Sequence, residues 1–214
     1  MIVKALLAVL GFTALSDVQA LSCSNRRAFM DTVKFSTVGA AAFTCGPSIA
    51  HGKDIVVGGS MQVGNDNIML PKAHGTSEVP VQENLRFGAS RKLADKICNY
   101  NRHFAELGGY FRETSFEEAV RNSNGPLTFY DSNSGKPLFQ APIGRSKEDF
   151  IAESNVHGWP SFRDEETVWD NVRVLKGSLE TVSVDGTHLG HNLPDKQGNR
   201  YCINLVSIAG NPNA

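Results

Sequence analysis

The sequence predicts a mainly β domain of antiparallel strands preceded by helices, and three observations carry that prediction. Beyond Asn124 the chain breaks into short β-branched and aromatic runs, LTFYDS, KPLFQAP, VRVL, ETVSV and YCINLVSIA, separated by Gly, Asn, Asp or Pro. Runs of that length between turn residues read as antiparallel sheet. Ahead of them, Leu93, Ile97, Tyr100, Phe104 and Leu107 recur at helical spacing until Gly108-Gly109 stops the pattern. Before Ala89 no period is sustained.

Taken in order, residues 1–20 have the form of a signal peptide, with one lysine, an apolar LLAVLGF stretch too short to span a membrane, and an exit at Val18-Gln19-Ala20. Residues 21–50 carry Arg26-Arg27 followed by Phe29, a weakly apolar FSTVGAAAFTCG and a Ser48-Ile49-Ala50 exit, which resembles a twin-arginine export signal. The succession resembles the stacked presequences of algae whose plastids lie inside the endomembrane system, and so predicts delivery to the thylakoid lumen. The alternative is a secreted protein with a helical N-terminal arm. Either way the mature form has no membrane segment. Residues 51–88, with GGSMQVGNDN and PKAHGTSEVPVQ, form an extended arm. The region 89–124 is helical, with one amphipathic helix over 89–107 and a second, short one carrying Phe116, Ala119 and Val120 after a Thr114-Ser115 start. LTFYDS and KPLFQAP make a hairpin about Asn133-Ser134-Gly135, SKEDFIAES is a short helix, and the remaining runs are strands.

With 214 residues and a formal charge of −1, the chain makes one globular domain with extensions and shows no electrostatic footprint for nucleic acid. Its four cysteines, Cys23, Cys45, Cys98 and Cys202, are too few for a disulfide framework and form no C-x-x-C.

The chemistry concentrates in DGTHLGHNLPDKQGNRYCIN, residues 185–204. On a strand, Arg200, Cys202 and Asn204 share one face, so a cation and an amide flank the thiol. An arginine favours the thiolate, which is the attacking form. His188 and His191 fit three readings: acid–base work near neutral pH, a metal site completed by Asp195 and Cys202, or packing. Cys202 itself fits either a nucleophile or a small buried hydrophobe. Trp159, stiffened by Pro160 in HGWPSFRDE, offers a flat apolar wall, whereas Trp169 belongs to the core.

GWPSF, HLGHNLPD and RYCIN, in this order and with these gaps, together with YDSNSGKPLF, resemble the catalytic domain of the B-type methionine sulfoxide reductases. The likeness covers about residues 125–210. It implies two packed antiparallel sheets over 125–214 and reduction of methionine-R-sulfoxide in proteins through a sulfenic acid. Cys202 falls on the family's nucleophile. His188, His191, Asp195, Arg200 and Asn204 fall on the polar shell that binds the sulfoxide oxygen and activates the thiol, and Trp159 falls on the aromatic that receives the methyl group. Where many members hold zinc with two C-x-x-C pairs, this chain has Asp131 with Ser134 and Val182 with Asp185, so no zinc is expected. The family's resolving cysteine is replaced by Val156-His157, which leaves Cys98 as the candidate resolving thiol. Otherwise turnover needs an external reductant, thioredoxin-like or a small thiol. The implied role is repair under oxidative stress. The competing readings are a non-catalytic module that binds methionine or its sulfoxide, and a metal-binding protein using His188, His191 and Asp195.

Overall fold

The computed structural model describes residues 54–213. The export signals expected over 1–20 and 21–50, and with them Cys23 and Cys45, lie outside the described residues. No helix among the described residues is long and apolar enough to cross a membrane.

The domain is mixed α/β, with a six-stranded mixed sheet, a two-stranded hairpin and three helices. The strands are β1 (Val63–Gly64), β2 (Leu127–Tyr130), β3 (Pro137–Ala141), β4 (Ser161–Phe162), β5 (Val172–Leu175), β6 (Glu180–Ser183), β7 (His188–Asn192) and β8 (Tyr201–Ile203). The larger sheet runs β1-β5-β6-β7-β8-β4, and β2 pairs with β3. Every pairing is antiparallel except β1 with β5. That parallel edge comes from the 51–88 arm, which drapes over the domain and buries Met69, Val81 and Phe87. The antiparallel strands were legible; the parallel strand and the helical share make the class mixed rather than mainly β.

The helices are α1 (Arg91–Asp95), α2 (Phe116–Asn122) and α3 (Lys147–His157). Ser146 caps α3 in a capping box with Asp149, and Gly158 closes it at φ 83°, a left-handed value that glycine tolerates best. The helix expected over 89–107 is corrected. Its α-helical part ends at Asp95, a wider π turn covers Lys96–Tyr100, and Asn101 breaks it at φ −146°, ψ 85°. The apolar stripe splits with it: Ile97 is fully buried, but Tyr100 is 60% and Leu107 84% exposed. Glu106 overrides the periodicity, since its carboxylate is drawn into the interior to accept from the backbone N–H groups of Leu205 and Val206.

One aromatic core joins both sheets to α2 and α3. Phe129 meets Phe87, Phe116, Phe150 and Phe162, while Phe139 stacks on Phe162 at 4.3 Å between centroids. Trp169 belongs to this core, edge-on to Tyr201.

Candidate active site

Cys202, His188, His191, Asn204 and Trp159 line one cavity of about 250 Å³, together with His103, Phe104, Ala105, Gly190 and Leu193. The strands explain why. On β8, Tyr201 and Ile203 point into the core while Cys202, between them, is half-buried, as period-two alternation requires. His188 and His191 both lie on β7. A three-residue spacing on a regular strand would send them to opposite faces. The register shifts between Thr181 and Val182, leaving Leu189 as an extra residue on β7, and such a bulge returns both histidines to one face. Their rings stand 5.6 Å apart, edge to face. The glycine between them is needed for strand approach, because a Cβ on Gly190 would lie 2.0 Å from the Cys202 carbonyl oxygen.

Burial pushes the Cys202 thiol above its ordinary pKa, and a hydrogen bond and the charge of Arg200 oppose that rise. Arg200 is itself buried, and its Nε and Nη1 have no hydrogen-bond partner among the described residues. A desolvated cation short of partners favours an anion beside it. Asp195 stands 3.6 Å from Arg200 Nε, but its carboxylate is taken by Arg163 at 3.0 and 2.8 Å, which, with the Gln197 N–H, holds it down at about pKa 2. Asp195 is therefore a permanent anion that helps anchor Arg200, and it does not line the cavity.

The anion that faces the histidines is Glu180, which the motifs did not single out. Its carboxylate meets His188 Nδ1 at 2.7 Å and accepts from Arg102 Nε and Nη2 at 3.0 and 2.7 Å. Burial alone would raise its pKa, but these bonds outweigh that and hold it below the ordinary value. An ionised Glu180 fixes the His188 proton on Nδ1 and leaves Nε2 for other chemistry. The His191 pKa is lowered from its ordinary value, by burial first and by neighbouring His188 second.

Trp159 is positioned by the end of α3: Gly158 turns the chain, and Ile203 N–H donates to Pro160 O at 3.0 Å. Its indole Nε1 donates to Glu106 O at 3.2 Å. Gly108 gives it room, a Cβ there lying 3.3 Å from the ring. The broken helix thus supplies one wall of the cavity. Phe104, on that wall, is covered by Lys96 Nζ at 4.0 Å from its ring centroid.

Cys98 lies elsewhere. It is fully buried among Val81, Ala94, Ile97 and Val206, bonded to Ser207 Oγ at 3.5 Å, and burial raises its pKa strongly. Cys98 and Cys202 are both free thiols, and a bridge between them would require Cys98 to leave its apolar surroundings.

The positions that hold zinc in the resembled family do not fit one here. The Asp131 carboxylate is fully buried and accepts from Asn133 N–H, Ser134 Oγ and Thr187 Oγ1; Asp185 Oδ1 accepts from Lys136; and Val182 offers no donor. These bonds tie the hairpin turn to the β6–β7 turn. Nor do His188, His191 and Asp195 converge as ligands. Among the described residues the one three-ligand group is Glu153, His157 and Asp195, and there Glu153 already pairs with Arg145 and Arg163.

No protein-family model matches this chain, and no curated protein or solved structure matches it.

Proposed function

We propose that the Cys202 cavity reduces methionine-R-sulfoxide in proteins. The observation that carries the reading is the convergence of a thiol, two imidazoles, an oriented amide and an indole wall on one small cavity. At about 250 Å³ it falls below the roughly 300–1,000 Å³ of pockets for drug-sized ligands, and so suits a single side chain.

In this reading Trp159 receives the S-methyl group, and the histidines direct hydrogen bonds at the sulfoxide oxygen. The sulfoxide sulfur becomes electrophilic as its oxygen gains a proton. Cys202, deprotonated beside Arg200, attacks that sulfur. The S–O bond then breaks and the oxygen passes to Cys202, so that one thiol and one sulfoxide give one sulfenic acid and one methionine. Two thiols of an external reductant, thioredoxin-like or small, return Cys202 to its thiol and leave as a disulfide with one water. Delivery to a thylakoid lumen, or secretion, is the setting that the first fifty residues suggest.

A single-turnover experiment with a racemic methionine sulfoxide peptide tests the reading. Consumption of the R epimer alone, abolished by Cys202→Ser, supports it. Binding without consumption by the wild type replaces it with the binding-module reading, for which the raised Cys202 pKa is the favouring observation.

A further inference from the structure

Glu106 is 2% exposed and has no part in the chemistry above, yet it bonds to two groups that line the cavity and to the turn behind them. Its carboxylate accepts from Leu205 N–H at 2.8 Å and Val206 N–H at 3.1 Å, holding the turn that follows β8. Its own N–H donates to Asn204 Oδ1 at 3.0 Å, while Asn204 Nδ2 donates to Leu189 O at 3.0 Å, so the amide cannot flip. Its carbonyl accepts the Trp159 indole. One residue therefore grips two of the cavity's recognition groups through its main chain and is itself fixed by its side chain.

We propose that Glu106 is the positioning residue of the site: its buried carboxylate locks segment 101–107 onto the turn after Cys202 and so sets where the Trp159 indole and the Asn204 amide stand. The inference rests on the reductase reading for its kinetic consequence, but not for its geometry. Without the carboxylate, Leu205 and Val206 lose their acceptors, and the segment keeps only main-chain bonds to side chains that can move with it.

Burial makes an ionised carboxylate here costly. It raises the Glu106 pKa to about 7, with the two backbone N–H bonds pulling the other way. The Cys202 thiol on β8 and the Cys98 thiol on the π turn both feel its charge. The side chain presents one oxygen to each N–H, an arrangement that an amide, with a single acceptor oxygen, cannot repeat.

The test compares full-length wild type with Glu106→Gln and Glu106→Ala. It reads the Trp159 indole N–H resonance, assigned by its loss in Trp159→Phe, and the steady-state kinetics on a methionine-R-sulfoxide peptide. Glu106→Gln keeps the side-chain shape, and cooperative unfolding is expected to persist. The Trp159 resonance should shift or broaden, and kcat/KM should fall by about ten- to a hundredfold, as for a recognition group displaced by about 1 Å, with most of the loss in KM. An unchanged resonance with only a lower melting temperature overturns the proposal. Loss of the fold in both variants also overturns it, since Glu106 would then serve folding alone. If the wild type consumes no sulfoxide, the reductase reading falls, and the indole resonance still decides the positioning role.

Discussion

Replacing Glu180 with Gln removes the charge that joins His188 to Arg102, at a side chain only 4% exposed. The His188 bond at 2.7 Å is buried and charge-assisted, worth about 1.5–3 kcal/mol. The Arg102 pair is one-third exposed on the arginine side and after solvent screening contributes about 0.5 kcal/mol. Gln keeps one acceptor oxygen, so the expected net loss is about 2 kcal/mol. With a urea slope of about 2 kcal/mol/M the unfolding midpoint drops by about 1 M. The sign with pH follows from the lowered folded-state pKa of Glu180. Its stabilisation is complete above the ordinary carboxyl value of about 4.3 and is lost as pH falls through the lower folded value. The wild-type advantage should therefore be full at pH 7 and shrink below about pH 4. A difference under about 0.5 kcal/mol, the size of an ordinary surface effect, would refute the reasoning, and so would one that is flat down to strong acid.

Gly190→Ala places a Cβ 2.0 Å from the Cys202 carbonyl and should destabilise the chain by about 2–3 kcal/mol, as overpacking does, seen in thermal melts. Phe129→Ala, at the centre of the aromatic cluster, should cost about 3–5 kcal/mol in urea unfolding. Iodoacetamide mapped by peptide mass spectrometry should label Cys202 in the native chain and Cys98 only after unfolding; Arg200→Met should slow the Cys202 reaction at fixed pH by removing the cation beside it. Glu106, raised from 4.5 to about 7, keeps its proton in the folded chain over that window. Wild-type stability should therefore fall as pH rises from about 4.5 to 7, and Glu106→Gln should flatten that slope.

Local signals survived folding where local chemistry decides the outcome. The hairpin about Asn133-Ser134-Gly135 formed where aromatic and apolar flanks meet turn residues, with Gly135 at φ 71°, and α3 formed behind its Ser146–Asp149 box. The motif blocks likewise placed Cys202, His188, His191, Asn204 and Trp159 together. What could not be read depends on partners distant in sequence. The helix stops at Tyr100, and beyond it the Glu106 carboxylate binds backbone about a hundred residues away, a contact that no apolar periodicity encodes. Nothing in ETVSV marks Glu180; the pairing of β6 with β7 sets it against His188. Asp195 shared a motif with the histidines, yet Arg163 holds it outside the cavity.

The most direct test of the central claim is the state of Cys202 after one turnover without reductant. Full-length protein incubated with a methionine-R-sulfoxide peptide and then treated with dimedone should carry the adduct on Cys202, in amount equal to the methionine peptide formed, and none with the S epimer. Methionine formed with no modification at Cys202, or an adduct that appears without methionine, would contradict it.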